Sequence, residues 1–138
     1  MANNEGRNSW VNGAWNASDI ASAQTHLAPF IDELRGQASS TAPGRTTHLI
    51  ELQVAQLLGL ERAESVLGEA MKNWYSSSEF SDGEKAILEI AEQFVLDVHS
   101  VTDEQFEKLR KYFSTPDILA MLFHIALCDG FGKLEKVA

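Results

Sequence analysis

Ser81-Asp82-Gly83-Glu84-Lys85-Ala86-Ile87-Leu88-Glu89-Ile90-Ala91-Glu92-Gln93-Phe94-Val95 is the stretch that decides the fold class. A serine followed three residues later by a glutamate is a capping box, in which each side chain satisfies a backbone N–H that the first helical turn leaves orphaned. Behind it, Ile87, Leu88, Ile90, Ala91, Phe94 and Val95 recur at helical spacing and make one apolar face. Start signal and periodicity agree, so this segment reads as an amphipathic helix.

The same grammar extends in both directions. Downstream, His99 to Val101 reads as a loop, and Thr102-Asp103-Glu104-Gln105 is a second capping box opening a helix that carries Phe106, Leu109 and Phe113. Ser114 or Thr115 caps a last helix with Pro116 in its first turn, where a missing N–H costs nothing. Ile118, Leu119, Leu122, Phe123, Ile125 and Ala126 are its expected core residues, and Asp129-Gly130 reads as its bend or its end. Upstream, a helix from about Arg45 to Leu58 is apolar nearly all round, which predicts a central position. Gly59 is its natural stop. A further helix is expected over about Glu61 to Trp74, with Val66, Leu67, Ala70, Met71 and Trp74 inward. Ser18 caps a first helix that Pro29 kinks or restarts and Gly36 ends. Residues 1–17 show no periodicity and read as an arm: Trp10 and Trp15 anchor it to the body or to a neighbouring subunit, or, equally, it is a frayed terminus. No useful period-two segment occurs. The expectation is an all-α domain of five to six helices over residues 18–138, preceded by that arm.

Composition narrows the function. A chain of 138 residues is long enough to bury roughly two-thirds of its unfolded surface, without a metal or disulfide staple. The net charge of −9 opposes phosphate backbones and anionic membranes, so nucleic acid and membrane are not expected partners. Cys128 is the single cysteine, which fits a reducing compartment and rules out an intrachain disulfide. With no basic start and apolar run, the N-terminus does not read as a signal peptide, and a cytoplasmic location is expected.

The chemistry-bearing residues are few. No HExxH, CxxC, glycine-rich phosphate loop or GxSxG occurs, and no metal or cofactor is expected. His48 and Glu51 lie three apart, and His124 and Cys128 four apart, each pair on one helix face. The first pair suits acid–base work, because a carboxylate orients an imidazole and raises its pKa. An exposed first-turn pair is the plainer alternative. The second suits a thiolate activated by imidazole, against the plainer alternative of a core histidine beside a structural cysteine. A position for Cys128 near a helix C-terminus disfavours the thiolate.

Four segments, in order, resemble the carboxymuconolactone decarboxylase and alkylhydroperoxidase D-like superfamily. Leu49-Ile-Glu-Leu-Gln-Val54-Ala55-Gln56-Leu57-Leu58-Gly59 is similar to its E-L-V-x-L-R-V-A-Q-L-N-G helix. Trp74-Tyr-Ser-Ser-Ser-Glu-Phe80-Ser-Asp-Gly-Glu84-Lys-Ala86 resembles its W-x-x-S-x-x-[YF]-[ST]-D-x-E-[RK]-A stretch, continued by Ile90-Ala91-Glu92. His99-Ser-Val-Thr-Asp103-Glu104 resembles T-H-V-P-D-E, with Thr102 in place of proline. Phe113-Ser114 through Ile118, and Ile125-Ala126 through Leu134, resemble its last helix, with Tyr112 in place of a histidine. The resemblance covers about residues 45–138 and implies the family's helical fold, with assembly as a homo-oligomer, a trimer or hexamer.

It does not carry the redox chemistry over. Where peroxidase-type members continue with C-x-x-C-x-x-x-H, Gly59 is followed by Leu60-Glu61-Arg62-Ala63, and the chain is about a dozen residues shorter before Trp74. His48 stands where the family has its proton-relay glutamate, and Leu67 cannot replace a catalytic histidine. A dithiol mechanism needs an attacking and a resolving thiol. The decarboxylase branch needs only proton transfer beside a carbonyl and a stabilised enolate. The expected function is therefore cysteine-independent acid–base chemistry, of lyase or isomerase type, on a small organic acid or carbonyl compound. Its candidate residues are His48, Glu51, His99 and His124. The alternatives are a non-catalytic oligomeric binding or structural relative, and a residual antioxidant role through Cys128.

Overall fold

The computed structural model describes residues 42–137 continuously and, before them, positions 26, 29, 30, 32–34, 36 and 37. The arm at 1–17 with Trp10 and Trp15, and most of the first expected helix, lie outside the described residues. Gly36 does not end that helix, because Gly36 and Gln37 are themselves helical. The architecture of the described residues is all-helical. In chain order it comprises α1 (Thr46–Leu58), α2 (Val66–Met71), α3 (Asp82–Asp97), a 3-10 turn (Val98–Ser100), α4 (Asp103–Arg110) and α5 (Thr115–Val137).

Both capping boxes form as read. Glu84 N donates to Ser81 Oγ at 3.1 Å, and Ser81 N donates back to Glu84 Oε1 at 2.9 Å. At α4, Gln105 N meets Thr102 Oγ1 at 3.3 Å and Thr102 N meets Gln105 Oε1 at 2.9 Å. Gly59 ends α1 in the left-handed region, with φ 70°, and Leu60 N reaches back to Ala55 O at 2.9 Å.

Four expectations are corrected. The second helix begins at Val66 rather than Glu61, because Ser65 Oγ accepts from Gly68 N at 2.9 Å and so caps it there. Val66, expected inward, is exposed in that first turn. The expected loop at His99 is a 3-10 turn held by Asp97, whose carboxylate accepts from His99 N at 3.2 Å and from Ser100 Oγ at 2.6 Å. Asp129-Gly130 neither bends nor ends the last helix, which continues to Val137. Lys133 Nζ reaches Asp129 across that turn at 3.0 Å.

α1 is central, packed against α2, α3 and α5. Its Ile50 and Val54 join Ile87, Ile90 and Ala91 of α3 and Met121 and Ile125 of α5 in one buried cluster. Full burial of a side chain of this size contributes about 1.5–3 kcal/mol. A second cluster of Leu49, Met71, Phe80 and Leu88 ties α2 to α1 and α3. The buried Gln53 fixes α1 along α3 by donating from Nε2 to Leu88 O at 3.0 Å. Arg45 clamps the starts of α1 and α3, with Nε 2.8 Å and Nη2 3.1 Å from the Glu84 carboxylate and Nη2 2.6 Å from Glu79 O. On α5 the inward face is Ile118, Met121, His124 and Ile125, whereas Leu119, Phe123 and Ala126, expected in the core, point outward. Among the described residues no helix is long and apolar enough to cross a membrane.

Candidate functional site

The packing of α5 on α1 brings one cluster of reactive side chains together. Glu51 lies on α1, on the opposite side of the helix from Gln53, whose bond to α3 fixes the rotation of α1. His124 lies in the middle of α5 and is fully buried. Its Nε2 stands 3.2 Å from Glu51 Oε1. Cys128 follows one turn later and is half-buried. The three donor atoms, a carboxylate oxygen, a ring nitrogen and the thiol sulfur, all lie within 4.8 Å of one another. The Glu51 side chain is 50% exposed, so the cluster opens to solvent on the carboxylate side.

Electrostatics favour the charged imidazole. Burial alone pushes the His124 pKa down, but the neighbouring Cys128 sulfur and the Glu51 carboxylate outweigh it and hold the value up at about 9. His124 Nδ1 is buried and makes no hydrogen bond. Nε2 is the ring atom that meets Glu51. Cys128 sits well inside α5, not near its end as the sequence suggested, so the C-terminal dipole does not act on its thiol.

Of the four residues the sequence singled out, the structure brings Glu51 and His124 together. His48 is exposed in the first turn of α1, and His99 is exposed on the 3-10 turn. Neither belongs to the cluster of Glu51, His124 and Cys128. Glu51 thus meets a partner 73 residues away in the chain. Spacing along one helix carries no signal for such a pair.

A separate groove of about 360 Å³ runs between α1 and α2, lined by Leu52, Gln56, Leu60, Arg62, Glu69 and Lys72, among others. Its cations are paired, Arg62 with Glu135 at 3.1 Å and Lys72 with Glu69 at 3.0 Å.

No family model and no curated protein matches the chain. A solved structure does: a protein of unknown function from Agrobacterium tumefaciens, for which an antioxidant defence role of the AhpD kind has been suggested. The two share 20% identity, with a TM-score of 0.69 over 83% of this chain and 88% of that one. The fold is therefore that of the AhpD-like helical proteins, as the sequence resemblance implied.

Proposed function

We propose that this chain is an enzyme of AhpD-like fold performing acid–base chemistry, of lyase or isomerase type, on a small organic acid or carbonyl compound. The observation that carries the reading is the 3.2 Å contact between His124 Nε2 and the half-exposed Glu51 carboxylate, made across two packed helices. In this reading His124 holds and passes the proton. Glu51 positions the ring and stabilises its protonated form, and the solvent side beside Glu51 admits the substrate. His48 and His99 stand outside the cluster and take no part. The enzyme acts in the cytoplasm as a homo-oligomer. The exposed stripe of Leu119, Phe123 and Ala126 along α5 supports self-association.

The test is turnover of a panel of small lactones and carboxylic acids by metal-free protein. Glu51→Gln and His124→Gln are each expected to lower kcat at least tenfold, while Cys128→Ser retains turnover. Retained turnover in both Glu51→Gln and His124→Gln removes the reading. No turnover of any member leaves the non-catalytic relative.

The closeness of Cys128 to His124 favours a second reading, hydroperoxide reduction through one thiol. The Cys128 thiolate would attack the peroxide oxygen, the O–O bond would break, and a sulfenic acid and an alcohol would form. A small thiol would then reduce the sulfenic acid back. The antioxidant role suggested for the Agrobacterium protein points the same way. Here Cys128→Ser abolishes turnover, the opposite of the first reading.

A further inference from the structure

We propose that Glu51, His124 and Cys128 together bind one divalent ion of the zinc class, and that the bound ion shuts off proton transfer through His124. Three kinds of donor converge here, carboxylate oxygen, imidazole nitrogen and thiol sulfur, all within 4.8 Å of one another. Two ligands each about 2.0–2.1 Å from a tetrahedral zinc stand about 3.3–3.4 Å apart. The Glu51–His124 contact, at 3.2 Å, already has that edge length. A sulfur about 2.3 Å from the same ion stands roughly 3.5 Å from the other two ligands, so, with all three atoms within 4.8 Å, Sγ has at most a little over an ångström to close. Glu51 already stands at ligand spacing from His124, and the half-buried Cys128 side chain closes toward that buried ring, the fixed point.

An ion on His124 Nε2 leaves Nδ1 to carry the one proton of the neutral ring, the tautomer a ligating histidine takes, and Nδ1 is buried without a hydrogen-bond partner. The donor set chooses the ion: thiolate and imidazole suit zinc and cobalt, whereas magnesium and calcium require oxygens. Three protein ligands leave a fourth position for water, and the exposed side of Glu51 is the way in.

Binding the ion does not depend on the acid–base reading, but its effect on turnover does. Once a metal occupies the ring nitrogen, His124 can no longer carry a proton.

The experiment uses the full chain, reduced and stripped with chelator. Cobalt(II) is titrated while the near-ultraviolet thiolate-to-cobalt band is followed, and zinc affinity is measured by calorimetry. One equivalent with that band is expected. Cys128→Ser should abolish the band and weaken zinc at least tenfold. Glu51→Gln should weaken zinc about tenfold, and His48→Gln should change nothing. His124→Gln risks unfolding, so the two variants at the partly exposed positions carry the test, with helicity checked by circular dichroism. Absence of the band, or unchanged zinc affinity in either Cys128→Ser or Glu51→Gln, overturns the site. The band without turnover of any carbonyl substrate keeps the metal site and removes the acid–base reading; turnover without the band does the reverse.

Discussion

Glu51 and His124 face each other across α1 and α5 at 3.2 Å, a half-exposed carboxylate against a fully buried ring. Because the folded protein holds the His124 pKa at about 9, above its ordinary value of 6.5, the folded state binds that proton more tightly than the unfolded state does. The stability it contributes is therefore complete below about pH 6.5 and is lost as the pH rises through about 9. Undiluted, the shift is worth on the order of 3 kcal/mol. Solvent screening at half-exposed Glu51 reduces it to about 1 kcal/mol. Urea unfolding of metal-free protein at pH 6 and pH 9.5 should show that loss, and Glu51→Gln should reduce it, the larger share resting on Cys128. A midpoint that rises with pH over this range contradicts the assignment.

Local grammar made much of this fold readable. Ser81 and Thr102 each place a helix start to the residue because the cap and its return contact lie within one turn. Gly59 does the same for a helix end. The errors came where tertiary contacts outweigh local signals. Asp129-Gly130 reads as a stop, but α5 continues through it because Gly132 packs on Leu58 and Lys133 braces Asp129. Leu119 and Phe123 read as core because apolarity alone does not say which of two faces meets α1. The site was half legible: Glu51, His124 and Cys128 all stood out as reactive residues. Their grouping depends on how α1 and α5 are rotated against each other, and no spacing within either helix records that.

Gln53 tests how much one buried amide contributes to that rotation. Nε2 donates to Leu88 O at 3.0 Å, while buried Oε1 has no partner. Losing one hydrogen bond costs about 1 kcal/mol, and removing an unsatisfied buried acceptor returns a similar amount. Gln53→Leu should therefore lie within about 1 kcal/mol of wild type, whereas Gln53→Ala leaves a cavity and should cost about 2 kcal/mol or more. Denaturant midpoints of the two variants decide it; a leucine variant as damaged as the alanine variant shows that the amide is indispensable.

Arg45 holds Glu84 through two nitrogens, and this hydrogen bond keeps the Glu84 carboxyl below the usual carboxylate range despite the opposing effect of burial. The same carboxylate closes the capping box on Ser81. Arg45→Met should cost about 1 kcal/mol, given an arginine side chain that is 41% exposed. Arg45→Lys should recover little of it, since an ammonium cannot match the planar fork. Lowered folded-state pKa at Glu84 means that its stability contribution is present at neutral pH and lost on acidification. Thermal melts at pH 7 and pH 3 should show the gap between wild type and Arg45→Met closing at low pH, and an undiminished gap at pH 3 excludes the pairing as its source.

Two glycines of α5, two positions apart, should respond differently to an added side chain. A Cβ at Gly130 would meet nothing within 4 Å, so Gly130→Ala gains helix propensity of up to about 1 kcal/mol without a clash. At Gly132 a Cβ would come within 2.6 Å of Leu58 Cδ1 and 3.4 Å of Leu60 Cδ1. Leu58 can swing its end aside for one methyl group, so the propensity gain of Gly132→Ala is largely cancelled. A branched side chain leaves no such escape, and Gly132→Val should cost about 2–3 kcal/mol by overpacking the α1–α5 contact. Because Glu51 and His124 meet across that same contact, Gly132→Val should also bring the His124 pKa back toward its ordinary value, as read by the ring-proton NMR titration. A Gly132→Val protein as stable as wild type, with His124 still titrating near 9, shows that α5 does not approach α1 this closely at Leu58.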